Sequence, residues 1–186
     1  NIFLDSPLAI RVTDIFKLHK ECYDYEALKQ GNIFNFPHLE YSKTTRDSMR
    51  LNDYAKPCVI MAGSGMCTGG RIRHHIKHGI WNRKNTLLFV GYQAESTLGR
   101  ILLNGADRIK MMGMEFAVEA EVVKIEGFSA HADKNELVKW MEGFTKKPKK
   151  VFIVHGEPDS QIEFRKNLKK RGFKCEIPSL GESFDL

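Results

Sequence analysis

Short apolar runs alternate with segments of helical spacing from one end of this chain to the other, and that alternation limits the fold more than any single motif. NIFLD breaks at Ser6-Pro7. The segment LAIRVTDIFKLHKECY follows, with Leu8, Val12, Ile15 and Leu18 at helical spacing. Ser6 is the expected N-cap of that helix and Pro7 its first residue. CVIMA runs through GSGMCTGG into RIRHHIKHGI, NTLLFVGY leads to STLGRILLNG, and KKVFIVHG is followed by SQIEFRKNLKKRGF and then KCEIPSL. Parallel strands need a connection long enough to hold a helix, so this order predicts an α/β fold with mainly parallel strands. CVIMA and NTLLFVGY read as buried strands. The texture changes near Met112–Val118, where helices give way to short alternating runs, which divides the chain at 1–118 and 119–186.

Composition narrows the class. The 186 residues are 42% hydrophobic and 28% charged, which suits a packed core rather than disorder. A net charge of +6 fits a polyanionic partner or simply a basic surface. Cys22, Cys58, Cys67 and Cys175 form no C-x-x-C pair, so neither a zinc ribbon nor a thioredoxin-like motif is supported. Scattered thiols imply a reducing compartment, and the expected location is cytoplasmic. No apolar run approaches the length of a membrane span. The chain opens at Asn1 in what looks like a strand already in progress, so a fragment of a longer protein is expected.

Two constellations can carry chemistry. The first is AGSGMCTGGR, between a strand and a helix, where closely spaced glycines let main-chain amides meet an anion. It lacks the G-K-[ST] ending of a Walker A loop, and a tight structural turn explains it equally well. The helix after it offers Arg71, Arg73, His74, Lys77 and His78 as a basic stripe, either a solvated face or one wall of a polyanion groove. His74 and His78 are spaced i, i+4, but no carboxylate accompanies them as in H-E-x-x-H, so they read as surface or partly packed histidines. The second constellation is a pair of strand-end histidines. EGFSAHAD puts Ser129 and His131 between a strand and a helix, and VFIVHGE puts His155 at the end of another strand. Strands joined by one helix are often neighbours in the sheet, which would turn both histidines toward one cleft. There each histidine is a zinc ligand, a general acid or a simple strand-end cap.

FLDSPLA, GSGMCTGGR, GYQAESTLGR, FSAHAD and VHGE, in this order, resemble the C-terminal half of a metallo-β-lactamase-fold nuclease of the β-CASP group. That group includes ribonuclease J and the endonuclease subunit of pre-mRNA 3′-end processing. The resemblance implies a β-CASP domain, a parallel sheet flanked by helices, over 1–118, and the returning part of a metallo-β-lactamase αββα domain over 119–186. It implies a zinc-dependent ribonuclease acting on single-stranded RNA. Two zinc ions are implied in the full-length protein and none held by this chain alone. His131 corresponds to the histidine that contacts the scissile phosphate and acts as general acid, and His155 to a zinc ligand. Ser64, Gly65 and Met66 correspond to the loop on the β-CASP side of the RNA cleft. Ser129 corresponds to a residue that helps hold the phosphate, and Arg71 and Arg73 flank the loop as phosphate contacts. The H-x-H-x-D-H motif of the group is absent, and Asp5 is not its upstream acidic residue, so the full-length protein is the expected enzyme and this piece by itself is inactive. A non-catalytic RNA-binding or partner-binding homologue is the alternative. A small-molecule hydrolase of the same fold has no use for a basic groove. An unpaired sheet face in the second part would expose apolar surface, for which a homodimer is the expected cover.

Overall fold

The computed structural model describes residues 1–31, 33–129 and 131–185. It separates into two compact units, Asn1–Ser129 and Ala130–Leu186. In the first, β1 (Ile2–Leu4) lies between β2 (Leu39–Tyr41) and β3 (Val59–Met61), parallel to both. β1 ends at Ser6-Pro7 as expected: the Ser6 hydroxyl accepts from the Ala9 N–H at 3.3 Å and Pro7 opens α1 (Pro7–Leu18). The apolar stripe that marks α1 in the sequence is not what the helix buries. Leu8, Val12, Ile15 and Leu18 are exposed, and Ile10 is the residue packed inside. The short helices α2 (Tyr25–Gln30) and α3 (Thr45–Arg50) follow, the latter opened by a reciprocal cap between Thr44 and Asp47.

CVIMA does form a strand, but not a buried one. β3 pairs with β1 on one side only, and Val59 and Met61, which alternate onto the same face of the sheet, are exposed. From it the chain enters α4 (Ile72–Gly79), then β4 (Thr86–Phe89) and α5 (Leu98–Leu103). NTLLFVGY is likewise only half buried: Phe89 is inside, while Leu88 and Val90 are exposed. β5 (Arg108–Met111) and β6 (Met114–Ala117) are antiparallel, the exception to the parallel pattern. Only Met112 and Gly113 join them, too few for a crossover, and both take positive φ (50° and 75°), the geometry of a tight hairpin turn. β7 (Glu121–Lys124) pairs in parallel with β4, so the first unit runs past the change of texture at 118. Its core is Ile76, Ile80, Phe89, Leu102, Ile109 and Met111 with Cys67 and Ala120.

The second unit is a compact strand–helix–strand turn with one further helix. α6 (Lys134–Glu142) precedes β8 (Val151–Phe152), and α7 (Pro158–Lys170) carries the chain back to β9 (Cys175–Glu176), parallel to β8. Leu168, Phe173, Cys175, Val138, Met141 and Ile153 form its core. β7 and β8, expected to pair because one helix intervenes, each take a hydrogen-bonded partner within their own unit. β7 pairs with β4 and β8 with β9. The rest agrees with an α/β fold built on parallel pairs.

Candidate functional site

The loop after β3 is closed by its own backbone. The Cys67 N–H donates to the Ser64 carbonyl (3.0 Å), the Ser64 N–H to Gly69 (3.4 Å) and the Ile72 N–H to Gly63 (3.1 Å), while the Ser64 and Thr68 hydroxyls pair at 3.0 Å. Gly70 has φ +72°, and a β-carbon there would lie 2.3 Å from the Gly63 carbonyl oxygen, so only glycine closes the turn. Cys67 is sealed in the core beneath, where burial pushes its thiol up to about 11 and leaves it inert. At the exposed rim, the N–H groups of Gly65 and Thr68 donate to no acceptor among the described residues.

GYQAESTLGR braces this loop. The buried Gln93 Nε2 donates to the carbonyls of Gly65 (3.0 Å), Tyr92 (3.1 Å) and Gly91 (3.2 Å), and the Gly99 N–H donates to Met66 at 3.2 Å. Arg100 Nε holds the Gln93 carbonyl at 2.7 Å. A β-carbon on Gly99 would stand 1.7 Å from Gln93 Oε1 and 3.1 Å from the Phe89 ring. Gly99→Ala should therefore destabilise the first unit by roughly 1–3 kcal/mol, the usual cost of overpacking a core. Thermal melting checks this, and an unchanged melting temperature would mean that Gln93 is not a fixed brace.

Beneath the loop lies a buried charge network. Asp5, fully buried just past β1, accepts from Arg71 Nη1 at 2.7 Å through Oδ1, and from Ser48 Oγ and His75 Nε2, each at 2.6 Å, through Oδ2. Arg71 also donates to the carbonyls of Ser42 (2.7 Å) and Lys43 (3.4 Å). Arg71 was expected to face phosphate. Its guanidinium is instead turned inward and ties the start of α4 to β1 and to the segment before α3. Arg73 is half-buried, and its Nε has no acceptor among the described residues. His74 and His78 are exposed, and the helix turns His75 inward. Asp5, Ser48, His75 and Gln93 are the residues that motif reading missed. A signal was present: Arg71 and His75 are spaced i, i+4 on one helical face, opposite an aspartate that directly follows an apolar strand.

In the second unit the chain turns sharply after β8. His155 has φ 69° and Gly156 φ 103°, and Gln161 Nε2 donates to the His155 carbonyl at 3.1 Å. The exposed His155 lines a cavity of about 470 Å³ with Lys134, Trp140, Phe152, Val154 and Gln161, between α6, β8 and α7. His131 is exposed just ahead of α6 and does not line that cavity, and Ser129 falls in the first unit. Asp133, the last residue of FSAHAD, caps α6. Its Oδ1 accepts from the N–H groups of Asn135 (2.7 Å) and Glu136 (2.8 Å), and Glu136 returns the bond to the Asp133 N–H at 2.8 Å. This D-x-x-E signature was readable from sequence. The Lys134 ammonium, 2.8 Å from Glu163, holds that carboxyl below its ordinary value. Among the described residues, no group of three or more His, Cys, Asp or Glu is placed to hold a metal ion. A catalytic zinc takes about three protein donors. His155 finds no such partners in these residues, so a zinc site there needs donors from outside them.

Family models and relatives place these features. The model of the Beta-Casp domain matches residues 1–102, and that of the Zn-dependent metallo-hydrolase RNA specificity domain matches 115–178. Ribonuclease TTHA0252 of Thermus thermophilus is 36% identical over 185 residues, which is 97% of this chain and 42% of the relative. Transcription termination factor FttA of Methanocaldococcus jannaschii is 36% identical over 68% of this chain and 21% of its own length. An RNase J-like protein of the same organism is 40% identical over 62% of this chain and 27% of its own length. The chain thus spans less than half the length of these curated relatives.

Proposed function

The chain belongs to the β-CASP family, whose model covers residues 1–102 of its 186, and from that membership we propose that it forms the C-terminal part of a zinc-dependent ribonuclease. The observation that carries the reading is the alignment to a ribonuclease over 97% of the chain, which takes in the braced loop, FSAHAD and VHGE together. In this reading RNA phosphates meet the exposed rim of the loop at Ser64, Gly65 and Met66, with Arg73 beside it. Loop and α4 are held rigid by Gln93 and by the Asp5 network, so the rim is preorganised rather than ordered on binding. Ser129 helps hold the phosphate, and His131 gives a proton to the leaving oxygen. His155 supplies one ligand of a centre of two zinc ions, whose remaining donors the full-length protein provides. Zinc supplies the Lewis acid of such hydrolases. A cytoplasmic location, single-stranded RNA as substrate and a homodimer complete the proposal. For the dimer, the exposed Trp140, Phe144 and Val154 offer a face that a second copy would cover.

The test uses the full-length protein and a single-stranded RNA oligonucleotide, with zinc present and with zinc removed by a chelator. Cleavage that needs zinc is the expected result. Binding without cleavage in either condition would make the protein a non-catalytic RNA binder, and absence of binding would end the RNA reading. In the same assay Arg73→Ala should weaken binding and lower the steepness of its salt dependence by about 0.7–1, the contribution of one phosphate contact. An unchanged salt slope would remove Arg73 from the interface.

A further inference from the structure

The second unit has strongly polarised charge. Asp133, Glu136, Glu157 and Asp159 lie at the N-terminal ends of α6 and α7, and Glu163, in the middle of α7, lines the cavity beside His155. At the opposite edge, where β8 and β9 begin, lie Lys146, Lys149, Lys150, Lys169, Lys170 and Lys174. The fold brings these lysines together from three segments. Val151 pairs in register with Cys175, which sets Lys150 beside Lys174, and the Val151 N–H donates to the Lys174 carbonyl at 2.8 Å. Lys147 Nζ donates to the Arg171 carbonyl at 2.7 Å, which fastens the 143–150 loop to the end of α7, where Lys169 and Lys170 lie.

Part of this has a simple cause, since cations suit a helix C-terminus. That accounts for Lys169 and Lys170. It does not account for Lys146, Lys149, Lys150 and Lys174, none of which is in a helix. KKPKK places four ammonium groups within five residues, and none of the six lysines of the patch forms an ion pair among the described residues. Among the described residues the one acid paired there is Glu142, which is taken by Arg171 at 3.0 Å. Uncompensated like charge at this density costs stability by self-repulsion, and a polyanion relieves that cost. Membrane binding would need an apolar face alongside the charge. Here the rings among the lysines are not free to insert: Phe173 is buried, and Phe152 and Phe184 pack on each other at 4.8 Å under Lys150, while the exposed Phe144 is packed edge-on against Trp140 of α6 at 5.1 Å.

We propose that this lysine patch is a second RNA-backbone site, which grips the phosphodiester chain away from the scissile bond. The inference rests on the ribonuclease reading for the identity of the polyanion. It adds a surface at the far edge of the β8–β9 sheet from His155, and it predicts that long RNA is bound more tightly than RNA just long enough to be cut.

The experiment compares the full-length protein with a variant carrying Lys146→Gln, Lys149→Gln, Lys169→Gln and Lys174→Gln. A control variant has Lys20, Lys29, Lys56 and Lys84 changed to Gln, four exposed lysines of the first unit. Dissociation constants are measured across a salt series for a long and a short single-stranded RNA. The patch variant should bind the long RNA about tenfold or more weakly, with a salt slope reduced by roughly 3, or about 0.7 for each of four contacts. Its cleavage rate on saturating short RNA should be unchanged, and the control variant should lose much less of the slope. Equal losses in patch and control variants, or no loss in either, would make the patch a solvated face and overturn the proposal while leaving the ribonuclease reading intact. If the unaltered protein bound neither RNA, both would fall together.

Discussion

Asp5→Ala should lower the stability of the first unit by about 3–5 kcal/mol, the usual cost of leaving a buried charge without its partner. Asp5 is 0% exposed, and its two oxygens take donors from Arg71, Ser48 and His75. The Arg71 side chain is only 17% exposed, so its guanidinium has little water to replace the carboxylate. The loss should appear as a melting temperature lower by roughly 10 °C in a chain of this size. The sign of the effect can be separated from simple cavity formation. Arg71→Met added to Asp5→Ala removes the stranded charge and should recover part of the loss, since replacing a buried ion pair with apolar groups is often close to neutral. A melting temperature for Asp5→Ala within about 1 °C of wild type would show that the network is not what holds β1, the segment before α3 and α4 together.

That network shows where sequence reading stops. The alternation of strand and helix was legible because it depends on local periodicity, and Ser6-Pro7 declared the start of α1 through capping chemistry that is local as well. Pairing partners were not legible. β7 and β8 look like neighbours in the chain, yet β7 is fixed by β4, which precedes it by more than thirty residues. The Arg71 side chain reads as a surface cation until Asp5, 66 residues earlier, is placed beside it. The same holds for burial. Leu8, Ile15 and Leu18 carry a helical stripe and remain exposed, while Gln93, polar by composition, is inside because three carbonyls need its amide. The order of motifs pointed to the loop and to the two histidines. What makes the loop rigid is a set of contacts distant in sequence, and no periodicity reports them.

In the full-length protein, changing His155 and changing His131 should give different signatures. His155 sits at φ 69°, a conformation that alanine adopts poorly and asparagine tolerates, so His155→Asn removes the imidazole while sparing the turn that Gln161 anchors. On the proposed role of His155 as a zinc ligand, bound zinc and cleavage should fall together in that variant. His131 lies on an exposed stretch ahead of the α6 cap, so His131→Gln should fold normally. It should retain its zinc and cleave RNA more slowly by roughly 10²–10⁴-fold, the contribution of a general acid. If His131 is the proposed proton donor, RNA with a better leaving group at the scissile bond should recover much of the rate lost in His131→Gln and little of that lost in His155→Asn. Zinc content by elemental analysis and single-turnover cleavage rates decide between the roles. Should His131→Gln empty the metal centre while His155→Asn kept it filled, the two assignments would be reversed and the proton-donor role of His131 would be lost.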